Sequence, residues 1–261
     1  MDKTTVFGIV GAVITLLIAL IVEGGHVGSL INVGAFFLVI SGTICATAAS
    51  FPLEKFKKIT FYFKKAVIYT EEDNTVIIQT MIRLAEKARR EGLLALEDEK
   101  YDLENPFFQK GLQLVVDGID PTLIRQILET EIYLKEEEEK IGVEIFQKAG
   151  IYAPTMGIIG TVMGLIHMLE GLGESSGAAS LGKAVAVAFI ATFTGVASAN
   201  IFWLPISFKL KNRLLEEVNL MNSILEGILA IQGGDNPAVV REKLKVFFPN
   251  EHEAFNADRG D

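Results

Sequence analysis

The sequence predicts an all-α, polytopic membrane protein with four transmembrane helices and a helical cytoplasmic domain. Three observations carry that prediction. Residues 5–22, 30–51, 150–169 and 181–208 are apolar runs, each about long enough to cross a bilayer as a helix. Half of the chain is hydrophobic, and its concentration in blocks does not suit a single water-soluble globule. Between and after the blocks, apolar residues recur at amphipathic helical spacing. The organisation expected is therefore spans 1 and 2 in residues 1–51, a cytoplasmic helical domain in 52–148, spans 3 and 4 in 149–208, and a cytoplasmic helical tail in 209–261.

The first block is not read as a signal peptide. It lacks a small-residue cleavage site, and a second span follows through the short turn EGGHVGS. Gly34, Gly42 and Ala46 give the second span a small-residue strip suited to helix packing. Cys45 lies in the same span, where it reads as a small hydrophobe, and a lone cysteine makes no internal disulfide. Lys55, Lys57, Lys58, Lys64 and Lys65 then alternate with Phe56, Ile59, Phe63 and Val67. That pattern suits a helix on the inner membrane surface, lysines toward anionic lipid, or a soluble helix with a solvated lysine face. The loops 23–29 and 172–180 contain no Lys or Arg, whereas Lys209, Lys211 and Arg213 follow the fourth span. The positive-inside rule puts both termini, and everything between spans 2 and 3, in the cytoplasm.

In the central segment, Val76, Ile77, Met81, Leu84, Ala85 and Ala88 mark an amphipathic helix that Gly92 interrupts, and LLALED begins another short one. Asn105-Pro106 and the turn Gly118 to Pro121 bracket a short apolar helix. From Thr122 the helical pattern runs unbroken toward the third span, with the acidic run 136–139 as a solvated face. After the fourth span, Leu215, Val218, Met221, Leu225 and Ile228 mark a further helix that ends at Gly-Gly-Asp-Asn-Pro.

The third span opens on Pro154, a residue tolerated in the first turns of a helix and disruptive deeper in. Gly157, Gly160 and Gly164 share a face that admits another backbone, and Thr161 offers a hydroxyl beside it. The fourth span answers with Ala184, Ala188, Ala191, Gly195, Ser198 and Ala199, and with Thr192, Thr194 and Asn200 as polar groups at depth. Pro205 stands near its cytoplasmic end, where it should kink the helix or limit its regularity. These small-residue faces fit either ordinary span packing or helices that line a path.

No constellation for soluble enzyme chemistry is present, and no cofactor or metal site is expected: there is no phosphate-cradling glycine loop, no Cys/His ligand spacing and no nucleophile with a base partner. His167 reads as a packed or interfacial residue. The net charge of −9 argues against nucleic acid as a partner. Ion-translocating proteins usually expose an ionisable group near mid-membrane. Here Glu23 and Glu170 lie at span ends, and no carboxylate occupies the middle of a span. If the chain conducts ions, a second protein must supply the acid.

Several long motifs carry a resemblance: GIYAPTMGIIGTVMGLIHML, NIFWLPISFKLK, KARREGLLALED, FFQKGLQLVVDGID and EGILAIQGGDNP. With them, in collinear order over essentially the whole length, the chain resembles the MotA family of flagellar stator A subunits, with TolQ and ExbB more distant. The resemblance implies a homopentamer around two copies of a single-span MotB-type B subunit in the bacterial inner membrane. That B subunit carries the ion-binding aspartate, and inward flow of Na+ or H+ turns the A ring against the rotor switch protein FliG. Pro154 and Pro205 match the family's two functional prolines. Arg89 and Glu97 match its rotor-engaging charged pair, and Arg90, Asp98 and Glu99 stand close enough to share that contact. Thr161 and Thr192 match threonines of sodium-type members, whereas Asn32 stands where those members often carry aspartate. The match leans to sodium. A TolQ- or ExbB-like energiser of an outer-membrane system is the alternative, though such proteins have three spans and place the soluble part differently. A membrane scaffold that conducts nothing is a third reading.

Overall fold

The computed structural model describes residues 3–68, 74–171 and 178–248, and every regular element among them is helical. The order is α1 (Lys3–Val22), α2 (Val33–Ala49), α3 (Leu53–Phe56), α4 (Ile59–Val67), α5 (Asn74–Glu91), α6 (Pro106–Val116), α7 (Pro121–Gly171), α8 (Ala178–Ser198), α9 (Leu204–Gln232) and α10 (Pro237–Lys245). Short 3-10 turns fall at Val27–Leu30, Leu93–Leu96 and Asp98–Asp102, and one π-helical turn, Ala199–Trp203, joins α8 to α9.

Two helical stretches, Pro121–Glu170 and Ala184–Gln232, contain segments long and apolar enough to cross a membrane; Val6–Val22 and Val33–Ala49 are shorter apolar helices. The 51 residues of α7 would rise about 76 Å, against roughly 30 Å of bilayer hydrocarbon. Most of that helix therefore has to lie outside any bilayer it crosses. Its sequence divides accordingly, with charges through Lys148 and then none until Glu170.

Packing divides the chain into two units, Met1–Thr70 with Lys140–Asn212, and Glu71–Glu139 with Arg213–Asp261. In the first, α7 and α8 are antiparallel: Gly195 lies on Ala153 and Pro154, Gly157 on Ala191 and Thr192, and Gly164 on Ala188. α2 also runs antiparallel to α7, with Leu38 at Gly160, Gly42 at Met156, and a 2.9 Å hydrogen bond between the Ser50 and Tyr152 hydroxyls. Asn32 caps α2, its Oδ1 accepting from the Ala35 amide at 2.9 Å. Cys45, expected to pack, lies instead on the exposed face of α2. The helix faces opposite that packing are lined by exposed apolar side chains, Phe7, Phe37, Ile158 and Phe189 among them. Tyr62 and Ala66 turn the inner side of α4 into the unit, the tyrosine ring covering Gly142.

The second unit is a helical core of conventional kind. Ile78, Leu84, Leu112, Leu128, Ile224 and Ile228 are fully buried within it. Gly111 and Gly227 admit Ile228 and Met81. Its turns follow one recipe, an Asx residue before a proline. Asn105, Asp120 and Asn236 each accept amide hydrogen bonds from the start of α6, α7 and α10, and the proline at the first helical position loses only an amide that the helix would leave unused. The pairs that read as turns in the sequence are thus also the caps of the helices they precede.

Candidate functional site

The residues expected to line the ion path and those expected to meet the rotor fall in different units.

In the first unit, Pro154 lies well inside α7 and not in its opening turns, because the helix begins at Pro121 and runs on without a break. An interior proline removes one intrahelical hydrogen bond, here that of the Gly150 carbonyl, at a cost of about 3 kcal/mol. The ring is half-buried, and Gly195 of α8 packs directly on its Cα. Gly150 packs against Leu204, the neighbour of Pro205. Pro205 sits in the first turn of α9, right after the π turn, so two departures from α-helical hydrogen bonding meet at that point. Trp203 in that turn is buried, and its indole N–H finds no acceptor among the described residues.

Seven residues beyond Pro154, about 10 Å along the axis, Thr161 meets Thr192. Their hydroxyls are in hydrogen-bond contact, and the Thr161 Oγ1 also lies 3.0 Å from the Ala188 carbonyl and 3.1 Å from that of Gly157. One hydroxyl proton serves only one acceptor at a time, so the pair can pass donor and acceptor roles between its members. The close glycine–alanine approach of α7 and α8 brings the two oxygens together. Thr194 and Asn200, by contrast, bond back to their own helix, at the Ile190 and Val196 carbonyls. The sequence reading overlooked two further hydroxyls, Thr43 and Thr47, on the buried face of α2. Thr47 donates to the Thr43 carbonyl at 2.7 Å, and the Thr43 hydroxyl has no partner among the described residues. Hydroxyls four residues apart in an apolar block were the available signal.

In the second unit, α5 ends at Gly92, whose φ of +90° suits glycine and turns the chain into the two 3-10 turns. Arg89, Arg90, Glu97 and Asp98 are all exposed there. Glu99 differs from them. Its carboxylate takes a hydrogen-bonded ion pair from Lys87 at 2.6 Å and another from Arg83 at 2.7 Å, and only 13% of its side chain is exposed. The Lys87 hydrogen bond, more than the Arg83 guanidinium, holds this carboxyl below its ordinary range. Arg83 and Lys87, one turn apart on α5, were the residues the motif drew attention away from. The sign for pH follows from that lowered value. The stabilisation is present above the unfolded pKa, near 4.5, and is lost as pH falls through the lower folded value. Glu99→Gln should therefore reduce the thermal stability of this unit at pH 7, with the difference from the parent shrinking below pH 4. An undiminished difference in acid would show that the carboxylate's charge is not what stabilises the turn.

His167 is exposed, with its Nδ1 3.9 Å from the Glu170 carboxylate. Among the described residues no group of three His, Cys, Asp or Glu side chains is arranged to hold a metal.

Comparison with known proteins ties these features together. Residues 99–223 match the profile of the MotA/TolQ/ExbB proton channel family. Motility protein A of Bacillus subtilis is 34% identical over 265 residues, covering all of this chain and 96% of the relative. The chain belongs to the MotA family of flagellar stator subunits. The Chemotaxis protein PomA of Vibrio alginolyticus is 33% identical over 258 residues, covering 99% of this chain and all of the relative. Among solved structures, that of C. jejuni MotAB superposes with a TM-score of 0.91 at 30% identity, covering 97% of this chain and 98% of that one. The flagellar MotAB stator complex from Bacillus subtilis gives 0.89 at 33% identity, covering 99% and 100%. Membership accounts for the apolar helices and for the all-helical fold. The resemblance read from the motifs holds over the full length.

Proposed function

We propose that this MotA-family chain is the A subunit of a flagellar stator which, with a MotB-type single-span partner, conducts Na+ or H+ inward and turns that flow into torque on the rotor protein FliG. One observation carries the reading: a hydroxyl pair, Thr161 and Thr192, sits between tightly packed apolar helices that hold no mid-depth carboxylate. Such a site offers oxygens to an ion but no charge to carry it, so it is complete only when a partner brings an acid. The partner's aspartate facing this depth completes it. The working form is a pentamer of this chain around the partner, with all four apolar blocks in the bacterial inner membrane and both termini cytoplasmic. Cations support that orientation: three follow the fourth block at its inner end, against the single Lys183 near its outer end. The second unit is then cytoplasmic, and its exposed Arg89, Arg90, Glu97 and Asp98 meet the rotor. The chain needs no catalytic group or cofactor for this work; the ion is its cargo.

Full-length relatives named for motility, and superposition over nearly the whole of two MotAB structures, favour this reading over a TolQ- or ExbB-like energiser. The test is co-expression with the cognate B-type partner in a bacterium lacking its own stator. Swimming should return, and it should require both chains. In the same cells, a cysteine at Ser29 should react with an impermeant thiol reagent and one at Ala95 should not. Swimming that never returns despite normal membrane levels would reject the stator function, and outer labelling at Ala95 would reject the orientation.

A further inference from the structure

The two 3-10 turns that follow Gly92 carry more than charge. Side chains three apart on a 3-10 helix eclipse one another. In the first turn Leu93 packs on the core of the second unit and Leu96 is fully buried in it, which leaves Leu94 and Glu97 on the outer side. In the second turn Asp98, Tyr101 and Asp102 are exposed, and Asp98 and Tyr101, three apart, share one side. Each turn thus sets one acidic residue beside one large apolar one. Leu94 is 74% exposed and Tyr101 75%.

A single exposed leucine on a protein surface needs no explanation. Here, however, the segment that presents these side chains is tied down from both sides. Arg83 and Lys87 hold Glu99, and the Lys100 amine bonds Gln113 of α6 while standing 4.9 Å above the Tyr101 ring. A side chain held in place before binding loses less freedom when it binds. The side chains of Glu97 and Asp98, unlike that of Glu99, make no hydrogen bond or close ion pair among the described residues, although Asp98 lies near enough to Lys87 to feel its charge.

We propose that Leu94 and Tyr101 are the apolar anchors of the rotor-docking surface, seating in a recess of the rotor protein whose rim presents Lys or Arg to Glu97 and Asp98. This rests on the rotor reading given above and adds to it. Charge reaches the partner first and sets the approach, and the two apolar side chains exclude water and hold the contact while torque is transmitted. Tyrosine is far commoner than leucine among residues that dominate interfaces, so Tyr101 carries the larger share.

The test uses the whole stator with its B subunit, in motile cells, and reads stall torque and the number of stators on each motor. Leu94→Gln with Tyr101→Gln should lower occupancy roughly tenfold, with Tyr101→Gln alone accounting for most of the loss. Tyr101→Phe, which keeps the ring, should stay near the parent. Membrane abundance should not change, because neither side chain supports the core. A photo-crosslinking residue at position 101 should join the chain to the rotor protein, and this arm stands even if the glutamine variants fold poorly. Unchanged torque and occupancy in the double variant, or no rotor adduct from position 101, would overturn the anchors. In either case Arg89→Glu and Glu97→Lys would still impair the motor if the rotor contact itself is correct. If those reversals also leave torque and occupancy intact, the surface is not the rotor contact and both readings fall.

Discussion

Gly157→Val should abolish swimming and prevent the stator from accumulating in the membrane, and Gly195→Val should do the same. A Cβ on Gly157 would stand 2.8 Å from the Ala191 carbonyl oxygen and 3.0 Å from the Thr192 Cα. On Gly195 it would stand 2.6 Å from the Ala153 oxygen and 3.2 Å from the Pro154 Cα. These are backbone atoms, so no flexible side chain can swing aside and the two helices must separate. Overpacking a well-packed interior typically costs 1–3 kcal/mol. Here the same separation would also part the Thr161 and Thr192 hydroxyls. Gly11→Val is the matched control, since nothing lies within 4 Å of the Cβ it would carry in this chain. Membrane abundance and co-purification of the B subunit measure the effect. Normal levels of the complex with either inner valine would show that α7 and α8 do not depend on this approach.

Thr161→Ala should cut sodium-driven rotation severely while leaving assembly close to normal, provided sodium is the coupling ion. A dehydrated sodium ion held by a partner's aspartate needs further oxygen ligands, and the Thr161–Thr192 pair supplies two side-chain oxygens from two helices. A proton needs only a hydrogen-bonded route. Alanine removes the γ-methyl along with the hydroxyl, so Thr161→Val, which lacks the oxygen and keeps the volume, separates a lost ligand from lost packing. Pro154→Ala should differ in kind. It returns the missing amide to the interior of α7 and relaxes the bend such a residue imposes, so torque should fall with either ion. Motor speed against external sodium at fixed pH, and then against a proton uncoupler at fixed sodium, separates the cases. Speed that ignores sodium but collapses with the uncoupler assigns the proton and leaves Thr161 as packing. Sodium dependence that survives Thr161→Ala keeps the ion and removes the ligand.

Helical periodicity in the sequence was enough to anticipate α5, α6 and the long approach to the third span, because each buries one face against a core and the apolar spacing records it. The small-residue ladders of α7 and α8 were legible for a similar reason: only Gly and Ala leave room for a second backbone. The pairing of Thr161 with Thr192 was legible only as two hydroxyls, since their register depends on how two helices far apart in sequence dock. Pro154 looked like the beginning of a helix because prolines usually stand there; the helix runs through it, with Gly195 packed on its Cα. Glu99 looked interchangeable with Glu97 and Asp98. Its separate role came from Arg83 and Lys87, which the fold brings to it across the Gly92 turn. Asn32 likewise sits where an ion-related acid was of interest, and its side chain caps α2.

The π turn at Ala199–Trp203 behaves as an insertion of one residue into an otherwise continuous rod. Each helical residue turns the chain by about 100° and advances it about 1.5 Å. Removing one residue there would close the turn to ordinary α-helical bonding with Ala188, Ala191 and Gly195 seated as they are, whereas removing a second would swing everything beyond by more than a quarter of a revolution. Leu204 would leave Gly150, and Ser207 would lose its 2.9 Å bond to the Val143 carbonyl. The turn thus keeps the close-packed stretch around Gly195 in phase with the stretch that carries Leu204 and Ser207. Deleting only the exposed Asn200 should therefore be tolerated far better than deleting two residues of the turn, which should uncouple the two stretches.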